Sequence, residues 1–172
     1  MIDPRLLSSN VECFLDFEAS GLHPDSYPIE VGICYGRKSY SALIRPTSYW
    51  KYWSADAQDI HGISREELQS KGKDVETVAN DLNRLFAGKV IWADSHYDSM
   101  WMDTLFEAAK VDQKFIVGNL YGFVPKDDAT PFMFLPEVVV HRALKDARDI
   151  RAVWKKYLKS KGGPDEVRWL AG

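Results

Sequence analysis

The order of apolar patterns along this chain predicts a mixed α/β fold: a central five-stranded sheet flanked by helices. Two observations carry that expectation. Three segments near the N-terminus are rich in Val, Ile, Phe and Tyr and are punctuated by Gly21, Pro24, Pro28 and Gly36, which reads as an antiparallel meander. After them, stretches with helical spacing alternate with short apolar runs, giving helix, strand, helix, strand, helix. The 172 residues fit one domain, with its core at about 11–160 and a short tail at 161–172.

The strands of the meander are expected at 11–17 (VECFLDF), 28–35 (PIEVGICY) and 39–45 (SYSALIR), with Gly36-Arg37-Lys38 short enough for a hairpin. Residues 46–73 hold an aromatic cluster (Tyr49, Trp50, Tyr52, Trp53) and then short helical pieces. A helix over 74–87 follows from Val75, Val78, Ala79, Leu82, Leu85 and Phe86, with Asp74 and Gly88 as start and stop. Lys89–Ala93 (KVIWA) reads as a buried strand. The helix expected at 96–109 has Tyr97, Met100, Trp101, Leu105 and Ala108 on its apolar side. Residues 114–118 (KFIVG) predict the fifth strand. A Pro/Asp-rich loop then leads to a last helix over 142–160, with Leu144, Ala147, Ile150, Trp154 and Leu158 inward.

Composition narrows the function classes. Apolar residues make up 45% and charged residues 27%, a globular balance that excludes wholesale disorder. A chain of this length buries roughly 70% of its unfolded surface, so it folds without metal or disulfide staples. Cys13 and Cys34 make neither a disulfide framework nor a zinc site, and they read as buried thiols. No apolar run nears the ~18 residues of a membrane span. The N-terminus MIDPRLLSSN lacks a secretory pattern, so the expectation is a soluble, cytoplasmic protein with no membrane partner. Net charge is −3, against coating of long nucleic acid by bulk electrostatics. Eight basic residues nevertheless crowd between Arg142 and Lys161, against Asp146 and Asp149. An acidic body can still bind phosphate where its carboxylates hold divalent ions, which reverse the local field.

Three clusters of carboxylates stand out. In LDFE, Asp16 and Glu18 lie two apart on a predicted strand and so project from one face. Such a pair repels unless it shares a cation or its face is wet. Asp94 and Asp98 follow the strand KVIWA, at the end where ligand sites of α/β sheets form, although a helix cap is the plainer role for either. His141 and Asp146 stand in HRALKD. Within one ideal helix their side chains would diverge by about 140°. They meet only if His141 precedes the helix and folds back over it.

Read together, these residues resemble the DEDDh exonucleases, 3′-to-5′ exonucleases of ribonuclease H-like fold that include polymerase proofreading enzymes. Their first motif stands here as DFEASGL (Asp16 to Leu22), the second as ADSHYD, with Tyr97-Asp98, and the third as HRALKD (His141 to Asp146). IHGIS at Ile60–Ser64 looks like a fourth marker of the proofreading-like branch. The resemblance runs from about residue 11 to 158. Three departures stand against it: Ala19 where a Thr is usual, Ala93-Asp94 where His-Asn is common, and a long loop, GFVPKDDATPFMFLPEVVV, before His141.

The resemblance implies a site. Asp16, Glu18, Asp98 and Asp146 would hold two divalent metal ions, Mg²⁺ or Mn²⁺, and His141 would be the general base. Ala19 and Leu22 would grip the terminal nucleotide, Leu22 as a wedge against its base. His61 would lie near the same pocket or serve as a structural hydrogen-bonding residue. Tyr97 and Arg148 complete the expected substrate contacts, with Arg151 next to Arg148 in the same role. The aromatic cluster reads as packing of the long loop onto the sheet or resting against a partner subunit, with base stacking as the alternative. The implied partner is nucleic acid, single-stranded 3′ ends of DNA or RNA. A homodimer, a polymerase or repair complex, and a binding module that has lost catalysis remain open.

Overall fold

The structure is a computed structural model that describes residues 13–123 and 141–160. The N-terminal segment, most of the loop before His141 and the tail at 161–172 lie outside the described residues, as does the Leu158 side chain.

The meander forms as its composition dictates. β1 (Cys13–Ala19), β2 (Pro28–Tyr35) and β3 (Lys38–Leu43) pair antiparallel in sequence, with β2 and β3 joined through Gly36-Arg37. The first strand extends two residues further than expected and so takes in Glu18 and Ala19, while Ile44 leaves β3 to bridge Lys73. The short helical pieces are α1 (Ala55–His61) and α2 (Arg65–Lys71), each capped by a serine, Ser54 or Ser64, whose hydroxyl accepts a backbone N–H. Then follow α3 (Val75–Phe86), β4 (Val90–Ala93), α4 (His96–Ala109), β5 (Ile116–Asn119) and α5 (Ala143–Ser160).

The described strands make one sheet in the order β3-β2-β1-β4-β5, with β1, β4 and β5 parallel to one another. Strand alternation divides β1 between the two faces of the sheet. Cys13, Leu15 and Phe17 join the larger core with residues of α3 and α4. Phe14 joins a smaller cluster with Cys34, Leu120, Ala147 and Ile150 beneath α5. Both cysteines are buried free thiols.

α4 buries only part of the side predicted: Trp101 and Leu105 are inside and Ala108 packs half-buried against the core. Trp101, Met102, Leu105, Phe106 and Ala109 are buried, whereas Tyr97 and Met100 are exposed. The buried stripe begins at Asp98, which falls three residues before Trp101 and four before Met102. The first turn is thus set by an inward-facing carboxylate, and that turns Tyr97 outward.

Gly32 fixes where α5 lies. A Cβ there would run into the backbone of Ala143 and Leu144, so only glycine lets the start of α5 rest directly on β2. Glu30, two residues earlier, receives both the Arg142 guanidinium, at 2.7 and 3.0 Å, and the Ala143 N–H at 3.0 Å. These contacts seat the head of α5 over the acidic face of β1.

Candidate functional site

Asp16 and Glu18 share the face of β1 that α5 covers, and they stand opposite Gly32 and Glu30. The ladder slips just after Glu18, so the strand bends beside the acidic pair. On the other side, β1 and β4 pair only at Phe14 and Trp92. Asp98 closes the gap beyond: its Oδ1 accepts the Phe17 N–H at 3.1 Å. Its Oδ2 is buried with no hydrogen-bond partner among the described residues.

The cap of α4 is Ser95, whose Oγ accepts the Tyr97 N–H at 3.1 Å. Neither Asp94 nor Asp98 is therefore the N-cap residue, although the Asp98 carboxylate, three residues on, still draws on the Ser95 backbone N–H. Asp94 instead stands with Asp16 and Asp98, one ligand atom from each within 4.8 Å of the others.

A second group forms across β1 from the first. Glu18, His141 and Asp146 also bring one ligand atom each within 4.8 Å. His141 precedes α5, as the fold-back geometry requires, and its N–H donates to the Ile60 carbonyl at 3.2 Å. Its Nδ1 lies 3.3 Å from Asp146 Oδ2, an oxygen that also accepts the Arg142 N–H at 3.1 Å.

Burial and mutual repulsion govern the electrostatics. Burial, then the charges of Asp98, Glu18, Asp94 and Asp146, push the Asp16 carboxyl well up. Burial lifts Glu18 to about 8, with Asp146 and Glu30 adding to the rise and Arg142 opposing it. Asp98 is raised to about 7 by burial and then by Asp94, while backbone N–H groups hold it down. Asp94 is raised by burial and by Asp146. Hard oxygen donors with an orphaned buried oxygen among them suit Mg²⁺ or Mn²⁺, and the residues present fit such ions.

The expected substrate contacts are distributed unevenly. Ala19 ends β1, half-buried, and Leu22 is 76% exposed at the tip of a loop tied by the Tyr27 N–H to Ser20 Oγ at 3.1 Å. Tyr97 is exposed beside the Asp98 turn, with the His96 ring at 4.2 Å. His61 is buried, its Nδ1 accepts the Ile63 N–H at 3.0 Å, and its Nε2 is buried with no hydrogen-bond partner among the described residues. α5 runs along β2 from Glu30 towards Gly36: Cys34 donates to the Ala147 carbonyl, and Arg151 donates to the Gly36 carbonyl at 2.8 Å. Arg148 is exposed on the part of α5 that crosses Cys34, two residues beyond Asp146, and Arg151 is committed at the hairpin. The basic residue placed beside the site is Lys145, 3.6 Å from Asp146 and 2.7 Å from Asp149.

The aromatic cluster packs the loop. Trp50 stacks on Tyr27 at 5.0 Å, Tyr52 on His23 at 4.5 Å, and Trp53 meets the His61 ring edge-on. Sequence reasoning missed the Glu30–Arg142 clamp. The available signal was a glutamate inside the otherwise uncharged strand PIEVGICY.

The sheet order, with its antiparallel meander and carboxylates near its centre, defines a ribonuclease H-like α/β fold, as the motif resemblance implied. Solved structures with this fold include exonuclease I of E. coli. Its metal-free complex with single-stranded DNA superposes with a TM-score of 0.67 at 16% identity, over 88% of this chain and 40% of that one. The zinc-bound form of that complex gives 0.66 at 16% over 88% and 41%, and the apo enzyme 0.65 at 18% over 87% and 42%. This chain therefore spans about 40% of the length of those enzymes. No protein-family model matches it, and no curated protein does. Among the described residues no helix is long and apolar enough to cross a membrane.

Proposed function

We propose that this chain is a divalent-metal-dependent 3′-to-5′ exonuclease that releases nucleoside 5′-monophosphates from single-stranded DNA or RNA ends. One observation carries the reading. The carboxylates and the histidine of three distant motifs converge near the centre of one sheet, on the fold of a solved exonuclease.

In this reading Asp16, Glu18, Asp98 and Asp146 hold two Mg²⁺ or Mn²⁺ ions. Bound there, the metal supplies Lewis-acid polarisation of the scissile phosphate and a water of lowered pKa. The rest falls to the chain. His141 takes a proton from the attacking water at Nε2, since Nδ1 is turned to Asp146, which orients the ring. Leu22 and Ala19 receive the terminal nucleotide. Tyr97 offers an exposed ring beside it, and Lys145 and then Arg148 offer positive charge further along the strand.

The test is a panel of end-labelled single-stranded and duplex DNA and RNA in Mn²⁺. Stepwise loss of 3′ nucleotides is expected, fastest on single strands, because a paired terminal base must first leave its stack. Internal cleavage would overturn the proposal in favour of an endonuclease, and no cleavage of any substrate would overturn it in favour of a binding module without catalysis. A second reading is a proofreading or processing subunit of a polymerase or repair assembly. Activity that appears only with a co-purifying partner would support it.

A further inference from the structure

We infer that Asp94 is a working member of the metal site, a fifth carboxylate that binds the same cation as Asp16 and Asp98. The inference rests on the metal-dependent nuclease reading and goes beyond it, because the motif resemblance implies only four carboxylates and commonly an asparagine where Asp94 stands.

Asp94 brings a ligand atom within 4.8 Å of those of Asp16 and Asp98. It immediately follows the last residue of β4, so the strand fixes its backbone at the end where the sheet opens beside β1. The task that most often explains an aspartate at such a position, capping the next helix, belongs to Ser95.

Asp98 gives the independent sign of a ligand. It is 3% exposed, its Oδ1 is held by the Phe17 N–H, and its Oδ2 lacks any hydrogen-bond partner among the described residues. A buried acceptor left so is costly unless a ligand satisfies it. Among the described residues no ion pair reaches Asp16, Asp94 or Asp98. A hard divalent cation satisfies the orphaned oxygen and the repulsion together, and its affinity rises with the number of charged ligands around it.

The experiment measures Mn²⁺ binding to the full chain by electron paramagnetic resonance, together with melting of the protein in EDTA. Wild type, Asp94→Asn, Asp94→Ser and Asp16→Asn are compared. Asp94→Asn should weaken Mn²⁺ binding about 10- to 100-fold, a loss of the size seen when groups around a metal are removed. It should also raise the metal-free melting temperature, because one of three mutually repelling carboxylates is gone. Asp94→Ser, smaller and uncharged, should weaken Mn²⁺ binding to a similar degree. A residue of purely structural value would instead lower that temperature and leave Mn²⁺ affinity unchanged, and that result overturns the inference. If Asp16→Asn loses Mn²⁺ while both Asp94 variants keep it, Asp94 is no ligand and the nuclease reading stands. If wild type binds no Mn²⁺, both fall.

Discussion

The two halves of the acidic site are built on opposite principles. Asp16, Asp94 and Asp98 hang from the sheet and the first turn of α4, and every charge among the main influences on Asp16 is another carboxylate. Glu18, His141 and Asp146 are gathered where α5 docks, and that side brings its own cations, with Arg142 on Glu30 and Lys145 beside Asp146. The first group is rigid and uncompensated; the second is compensated but depends on a helix being seated. The difference teaches what each would lose. The sheet side loses its reason to stay charged without metal, and the helix side loses its geometry without the clamp.

The largest effect is expected on the sheet side. Asp16→Asn should abolish turnover and leave the fold intact, with metal-free melting unchanged or higher because a buried repulsion is relieved. Unchanged hydrolysis by this variant, or by wild type in EDTA, would end the two-metal reading. On the helix side, His141→Ala should slow turnover by roughly 10²–10⁴ while Mn²⁺ binding persists, as for a base that is not a ligand. Its nitrogen lies close enough to Glu18 and Asp146 to make the alternative concrete. Calorimetry showing lost Mn²⁺ binding would move His141 into the ligand set.

Much of the sheet side was legible in the sequence, because it follows local periodicity. Asp16 and Glu18 share a face by strand alternation. Asp98 heads an apolar stripe at helical spacing, although only the structure showed that Met102, Phe106 and Ala109 join Trp101 and Leu105 in it while Tyr97 and Met100 do not. The helix side was legible only through its motif. The direction in which α5 crosses β2 is a tertiary fact, and it is why Lys145 stands beside Asp146 while Arg151 reaches the hairpin at Gly36. The Glu30–Arg142 pair joins residues far apart in the chain, beyond the reach of any local pattern.

That clamp gives the next test. Glu30→Ala removes the acceptor of the Ala143 N–H and the partner of a half-exposed Arg142. Because the guanidinium can turn to water, the expected loss is about 1–3 kcal/mol, less than for a fully buried pair. Turnover should fall with it, while the Asp16–Asp98 side still binds metal. A variant as stable and as active as wild type would show that α5 seats itself through Gly32 packing alone.

Proton linkage acts on both halves with the same sign, because Glu18 of the helix side is raised along with Asp16, Asp94 and Asp98 of the sheet side. Glu18 at about 8, Asp98 at about 7, and the raised Asp16 and Asp94 all hold protons in the folded, metal-free chain that the unfolded chain has already lost. Their contribution to stability is therefore complete below the ordinary carboxylate range and is lost as pH climbs through 7 and 8. Melting in EDTA should fall from pH 5 to pH 8.5, and Mg²⁺ should restore it most at the upper end. A flat profile in EDTA would mean that these groups stay ionised in the fold and that solvent, not proximity, sets their state.

The smallest effect expected is in binding along the strand. The sheet side reaches phosphate only through metal, so contacts beyond the scissile bond depend on the cations of α5. Several of those are already engaged: Arg142 with Glu30, Arg151 with Gly36, and Lys145 with Asp149. Each phosphate neutralised on a single strand contributes about −0.7 to the log–log salt slope, so a footprint of roughly two to four phosphates gives a slope of about −1.5 to −3. The measurement uses His141→Ala in Ca²⁺, which keeps the carboxylates while the base is gone, and titrates a single strand at several salt concentrations. Lys145→Gln should then flatten the slope by about one contact, and Arg148→Gln by less, since Arg148 lies on the part of α5 that crosses Cys34, two residues beyond Asp146. A slope steeper than about −5, or tighter binding to blunt duplex, would mean that phosphates are held by a larger basic surface than α5 provides, and the asymmetry between the halves would no longer govern substrate reach.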